Sequence, residues 1–337
     1  MLTIKVSSGD PKFSKLFLRQ SPGGKGIWRN CHFIVNEEVE QCDWWVVCHF
    51  SGLRKIEETL CSPDHLIYIS MEPKEYFTTE KFLNQFSKLV LCDREIKHPN
   101  IIYRNGLTWW AGLTVHHECG HHFTTDGMLT FEKLISMPFP NKTKMMSIIC
   151  SGNRGLSGHM KRLDFLERLD KHPIGASIDF YGGGLNPVDD KMDAILPYRY
   201  TIALENCSVL NYWSEKLADA YLGFALPIYY GCPNIHEYFA AQALNIIDID
   251  DFDKSMAMIE DTLEKDPYEA HFEAIVQARK QVLNEYNIFQ LMADICQEPA
   301  KRLVKCRLKP CGHFERSWPR RIARKVIYTL RGIEETR

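Results

Sequence analysis

The chain is expected to be an α/β protein built from two parallel-sheet domains. Three observations lead there. Short apolar runs bounded by turn residues alternate with stretches of helical periodicity, the pattern of parallel strands covered by helices on both faces. The 337 residues, 45% of them hydrophobic, suffice for two ordinary cores. The alternation breaks over residues 99–144, where RNGLTWWAGLTVHHECGHHF and then PFPNKTK interrupt it.

The strand candidates are Leu2–Val6, Trp44–Phe50, Leu66–Ile69, Leu89–Leu91, Met146–Cys150, Ile178–Tyr181, Tyr200–Leu204, Pro227–Tyr230 and Leu244–Ile249. Helical patterns cover Leu53–Leu60, Glu75–Phe86, Met160–Asp170, Trp213–Phe224 and Tyr268–Glu285. We divide the chain into a first domain over 1–143, a second domain over 144–300 and a tail over 301–337. Two such domains would carry ligands at the carboxyl ends of their strands.

Charge is unevenly spread. The formal net charge is −2, yet residues 301–337 hold 12 Lys/Arg against 3 Asp/Glu, leaving an acidic body before a basic tail. In RSWPRRIARKVIYTLRGIEETR, Trp318, Ile322, Val326 and Leu330 fall at helical spacing, with Arg320, Arg321, Arg324 and Lys325 on other faces. That reads as a basic amphipathic helix for an anionic membrane surface, against the alternative of a packed terminal helix. Nucleic acid is not expected as a partner, since the body is acidic and shows no binding motif. No run approaches 18 apolar residues and the first residues carry no leader pattern, so the expectation is a cytoplasmic chain, peripheral on the inner face of a membrane, with its 12 cysteines reduced. The glycosylation sequons at Asn141 and Asn206 would then go unused.

The most informative stretch is YRYTIALENCSVLNYWSEKLADAYLGFALPIYYGCP, Tyr198 to Pro233. A strand ends at Glu205 and Asn206; a loop leads to a helix with Ser214 as N-cap and Glu215–Lys216 in its first turn; a second strand follows. A lysine at the positive end of a helix dipole is unfavourable by itself, whereas a bound phosphate would make it favourable, because free N–H groups and the lysine would share one anion. Glu215 could accept from ribose hydroxyls.

This stretch resembles the donor-binding signature of family 10 glycosyltransferases, the α-1,3/α-1,4-fucosyltransferases. Leu204–Asn206 stand for the family's F-E-N, Tyr212–Lys216 for Y-x-(T/S)-E-K, Leu226–Ile228 for (I/V)-P-(I/V) and Gly231–Pro233 for G-x-P. Leu204 replaces the family's phenylalanine. Upstream, SIICSGNRGLSGHMKRLDFLERL resembles the strand ending in S-N followed by an arginine that opens a helix. Arg162 is the matching arginine, with Lys161 and Arg154 close by. IDFYGGG at 178–184 resembles V-D-V-Y-G, and its glycines serve either as a turn or as a phosphate-side loop.

The resemblance, which covers about residues 146–290, implies a GT-B fold that transfers fucose from GDP-β-L-fucose with inversion to a hydroxyl of an oligosaccharide or lipid-linked glycan. It implies that Arg162 and Lys216 flank the diphosphate, Glu215 holds the ribose, Tyr212 packs near the nucleotide, and Glu205 and Asn206 line the donor site. Fixed cations could stabilise the departing diphosphate in place of a metal, and no cofactor is expected. Inversion needs a base. Glu72, after the strand Leu66–Ile69 and before Pro73, matches the family's M-E-S-P glutamate without its serine; the alternative role is a helix-start carboxylate, which Glu75 would fit better. Trp109 and Trp110 are weak acceptor candidates, as sugar-stacking surfaces or as core residues. HHECGHH at 116–122 carries paired histidines around Cys119, a spacing that fits no zinc motif well and suits an acceptor-side loop better.

Overall fold

The computed structural model describes residues 1–9, 12–48, 52–74, 78–116, 122–124, 127–152, 157–182 and 186–314. The N-terminal half runs β1 (Leu2–Ser7), α1 (Lys12–Leu18), β2 (Ile27–Trp28), β3 (Cys31–Val35), β4 (Trp44–Cys48), β5 (Glu57–Cys61), β6 (Leu66–Ile69), α2 (Glu80–Leu83), β7 (Lys88–Leu91), β8 (Ile101–Tyr103), β9 (Thr114–His116), β10 (His122–Thr124) and α3 (Phe131–Ile135). The C-terminal half continues with β11 (Lys144–Ile149), α4 (Ser157–Lys171), β12 (Ile178–Tyr181), β13 (Tyr198–Leu204), α5 (Glu215–Leu222), β14 (Leu226–Tyr230), β15 (Asn245–Ile246), α6 (Phe252–Lys265), α7 (Tyr268–Leu283), α8 (Ile288–Ile295) and β16 (Val304–Leu308).

Two sheets dominate. The first is ordered β2-β3-β1-β4-β6-β7-β8 and is parallel except for the β2–β3 pair. The second is ordered β12-β11-β13-β14-β15 and is parallel throughout. Each starts inside the sheet, adds a strand on one side and then returns to the other, which is the doubly wound order of Rossmann-like domains. Two such domains in one chain make the GT-B architecture that the sequence predicts. Central strands β4, β6 and β13 are buried nearly along their length, as a sheet covered on both faces requires.

In each sheet the winding reverses beside the first strand, at β1/β4 and at β11/β13. The carboxyl ends of strands at such a reversal leave a crevice that the crossover helices do not fill. The second crevice is therefore bounded by Cys150–Ser151 after β11 and by Glu205–Asn206 after β13.

Several elements differ from expectation. Of the segment read as a helix over Leu53–Leu60, residues 57–60 belong to strand β5, paired antiparallel with β16, Cys306 opposite Thr59. Alternate residues Thr59 and Cys61 are buried, so the local period is two, and the partner that selects it lies about 245 residues away in sequence. Leu244–Ile249 keeps only Asn245–Ile246 as strand. Of Glu75–Phe86, only Glu80–Leu83 is α-helix, capped by Thr79, and residues 75–77 lie outside the described residues.

The chain after α7 returns to the first sheet. Phe289 of α8 packs its ring 5.5, 6.4 and 5.1 Å from those of Phe17, Trp28 and Phe33. Trp28 Nε1 donates to Gln290 and Trp44 Nε1 to Glu298 O, at 2.8 and 2.7 Å. Residues 304–308 of the basic tail are thus a strand of the body, while residues 315–337, including the predicted amphipathic helix, lie outside the described residues. No helix among the described residues is long and apolar enough to cross a membrane.

Candidate active site

The site grows from the β11/β13 crevice. Strand β13 delivers Glu205, which is completely buried. Its carboxylate accepts the Ser214 N–H and the Ser214 hydroxyl, each at 2.7 Å. Ser214 is the N-cap of α5, its hydroxyl facing the Lys216 N–H at 3.4 Å. One buried acid thus clamps the start of the helix to the end of the strand. Lys216 Nζ reaches Ser214 Oγ at 3.1 Å, Glu215 Oε1 at 3.0 Å and Glu205 Oε2 at 3.5 Å.

The charges are mutually dependent. Burial pushes the Glu205 carboxyl up and Lys216 pulls it down. Burial also disfavours the Lys216 ammonium, but Glu215 and Glu205 outweigh it and its pKa is raised, with Arg162 opposing. Arg162, from α4, is buried; Nη1 donates to Leu204 O at 3.2 Å and Nε is buried with no hydrogen-bond partner. Arg162 and Lys216 both act on the buried Cys150 thiol, holding it below where burial alone would push it. The two cations therefore share one neighbourhood at the carboxyl ends of β11 and β13.

Glycines permit the close packing here. A Cβ on Gly158, in the first turn of α4, would stand 1.6 Å from Asn206 O, so only glycine lets this helix start against the strand end. Asn206 Oδ1 is itself buried with no partner, a second polar atom turned inward at the crevice. Gly182, at φ +117°, closes over Cys150 O, which a Cβ would meet at 2.0 Å; Gly183 and Gly184 lie outside the described residues.

From the first sheet, Glu72 stands just past the end of β6. Ser70, fully buried, holds the turn: its Oγ accepts the Glu72 N–H at 3.1 Å. The charge of Glu72 is felt across the lobes. After burial and Glu205, it is among the causes raising Tyr212, and it adds to those that push Cys207 up to about 12. Tyr212 is buried next to Trp213, and the loop 211–213 is tied to the first sheet by Cys92 Sγ to Asn211 O at 3.3 Å and by Asn105 Nδ2 to Trp213 O.

Trp109 is completely buried, in the core cluster, and is not an accessible stacking surface; apolar packing outweighed exposure. Trp110 is half-buried, and its N–H donates to Asp219 Oδ1 at 3.2 Å. His116 and His122 pair in register across β9 and β10, while residues 117–121 lie outside the described residues. Among the described residues no three His, Cys, Asp or Glu side chains converge as a metal site would require.

The family model for the C-terminal domain of glycosyltransferase family 10 (fucosyltransferase) matches residues 139–305, about half of the chain. The chain belongs to glycosyltransferase family 10. Two curated relatives of this family 10 chain match shorter stretches. An α-(1,3)-fucosyltransferase, FucT, of Helicobacter pylori is 30% identical over 73 residues, 21% of this chain and 15% of that protein. A putative fucosyltransferase-like protein of Arabidopsis thaliana is 36% identical over 83 residues, 24% of this chain and 16% of that one. The matches thus span under a fifth of those relatives' length. A solved α1,3-fucosyltransferase with GDP superposes at a TM-score of 0.49 and 15% identity, covering 85% of this chain and 92% of that one.

Three charged residues that contact Glu215 or the segment 110–112 escaped sequence reading: Asp190, Lys191 and Asp219. Lys191 Nζ lies 3.1 Å from Asp219 Oδ2 and 3.9 Å from Glu215 Oε1. The signal was present in part, because Glu215 and Asp219 are four apart on one helix and so share a face. An aspartate only 1% exposed within the buried stretch 217–222 of α5 demands a partner, and Lys191 is that partner.

Glu215 supplies a pH test. Burial opposes its charge, Lys216 and Lys191 outweigh burial, and its carboxyl is held down at about 2. A depressed folded-state pKa contributes stability that is fully present above the unfolded value near ~4.3 and is lost as pH falls towards the folded value. The stability gap between the wild type and Glu215→Gln, read from urea unfolding, is expected to be constant above about pH 5 and to shrink below about pH 4. A gap that stays unchanged through that acid range would contradict the ion-pair description.

Proposed function

We propose that this chain is an inverting fucosyltransferase that moves fucose from GDP-β-L-fucose to a hydroxyl of a glycan. The observation that carries the reading is the pairing of Arg162 and Lys216 beside the unfilled polar atoms Arg162 Nε and Asn206 Oδ1, at the topological crevice of a family 10 domain. A diphosphate would accept from Arg162 Nε, whereas Asn206 Oδ1, an acceptor, would take a hydroxyl or amino proton of the donor substrate, and fixed cations stabilise the charge that develops on GDP as the glycosidic bond breaks. In this reading Glu215 accepts from the ribose hydroxyls, Tyr212 packs near the nucleotide, and Glu205 and Asn206 shape the pocket. Glu72, set on the other lobe, takes the proton of the acceptor hydroxyl as that oxygen attacks the anomeric carbon from the face opposite GDP.

The acceptor is read as an oligosaccharide or lipid-linked glycan, and the basic residues of 316–337 as an anchor on the anionic inner face of a membrane; composition and spacing of the tail support that placement. Calorimetry checks the donor. GDP is expected to bind at least about tenfold more tightly than UDP, and GDP-fucose to release GDP when a glycan mixture is added. Equal or absent binding of both nucleotides would remove the assignment, and binding without release would favour a non-catalytic sugar-nucleotide module.

A further inference from the structure

The segment 109–112, from the first half of the chain, is gripped by both lobes. Its carbonyls face Arg19, a fully buried residue after α1: Nη2 donates to Trp109 O at 2.5 Å, and Nη1 to Ala111 O and Leu129 O, both at 3.0 Å. Its N–H groups face the other lobe. Trp110 N donates to Asp219 Oδ1 at 3.2 Å, and Gly112 N donates to Asp190 Oδ1 at 2.9 Å. Gly112 sits at φ +73° with Leu129 where a Cβ would be, so the segment has one permitted path between the two grips.

Lys191 links this joint to the donor site. It follows Asp190 directly and its ammonium lies between Asp219 at 3.1 Å and Glu215 at 3.9 Å. Glu215 in turn contacts Lys216 at 3.0 Å. A continuous chain of charges thus runs from Lys216 through Glu215, Lys191 and Asp219 to the Trp110 N–H. Its inner member, Asp219, is buried, where low dielectric strengthens each contact.

We infer that Lys191 is a positioning residue that couples the donor site to the acceptor-side segment 109–112, holding Glu215 on one side and, through Asp219, the Trp110 amide on the other. This rests on the donor reading above. When a nucleotide diphosphate occupies the crevice, its negative charge competes with Glu215 for Lys216 and its ribose engages Glu215. Lys191 then shares itself differently between Glu215 and Asp219, and the hold on segment 109–112 changes with it. The joint reports donor occupancy to the side of the molecule where the acceptor must arrive.

Hydrogen–deuterium exchange of the full chain, with and without GDP, tests the coupling. In the wild type, GDP is expected to slow exchange of peptides covering Trp110 and Gly112 at least about threefold. Lys191→Met is expected to lose that response and to weaken GDP binding about tenfold, the scale of one hydrogen bond to a charged group. Lys191→Arg should restore both. Because Lys191→Met removes the ion-pair partner of buried Asp219, the double variant Lys191→Met/Asp219→Asn provides a folded chain for the same measurement, with the same losses expected. A purely structural role would lower thermal stability while leaving the GDP response intact in the folded double variant, and that result overturns the inference, as does a wild type that binds GDP with no change at 109–112. A wild type that binds no GDP removes the donor reading itself, and this inference with it.

Discussion

Glu72→Gln is expected to lower the transfer rate by about 10²–10⁴, the range for removing a general base, with GDP affinity within about twofold of wild type. Glutamine has the same shape and can still accept a hydrogen bond, but it cannot carry the acceptor's proton away. The backbone at this position is held from several sides. Ser70 N donates to Val90 O at 2.8 Å, Gly106 N to Ser70 O at 2.9 Å, and the Ser70 hydroxyl receives the Glu72 N–H. A substitution on so well-held a turn changes chemistry rather than placement. The influence of Glu72 on Tyr212 and Cys207 puts its charge within reach of the loop that follows Glu205. Turnover retained within about tenfold, measured as GDP release from GDP-fucose with acceptor present, would exclude Glu72 as the base.

Lys216→Met is expected to act twice. It removes a cation that the developing diphosphate charge would use, a loss of about 10²–10³ in kcat if Lys216 serves as a preorganised electrostatic group. It also strands Glu205, completely buried and left with hydroxyl and amide donors but no cation, at a cost of about 3–5 kcal/mol when one partner of a buried pair is removed. The two effects separate in a double variant. Glu205→Gln with Lys216→Met should regain most of the stability in urea titrations, since no unpaired charge remains, yet should still bind GDP poorly. A double variant that recovers GDP affinity along with stability would show that Lys216 serves the fold and not the ligand.

Much of the second domain was readable from local pattern. Ser214, Glu215 and Lys216 announce a helix start because short-range capping decides it, and α5 begins there with Ser214 as its cap. Leu66–Ile69 is a strand at its predicted bounds because a buried parallel strand is a short continuous apolar run, and Ile178–Tyr181, an edge strand, is one at its predicted bounds with Ile178 and Phe180 buried on either side of exposed Asp179. The β5–β16 pair was not readable, because neither segment is periodic enough alone and each supplies the other's hydrogen bonds from the far end of the chain. Trp109 illustrates the same limit. An aromatic pair in a polar loop suits a sugar platform or a core equally well, and only the packing of 109–112 between Arg19 and the second lobe decided for the core.

What the residues determined unaided is the chemistry on offer: an alternating α/β chain, a family 10 signature with its cations and carboxylates in order, and a basic tail. Those properties depend on neighbours within a few positions, where spacing along the chain is spacing in space. What required the folded molecule is which charges meet. Arg162 and Lys216 come from separate crossovers, Glu72 from another sheet, and Lys191 from a turn that reads as surface in sequence. Their juxtaposition follows from the winding of two sheets and the seating of one lobe on the other, and long-range packing of that kind leaves no local period to read.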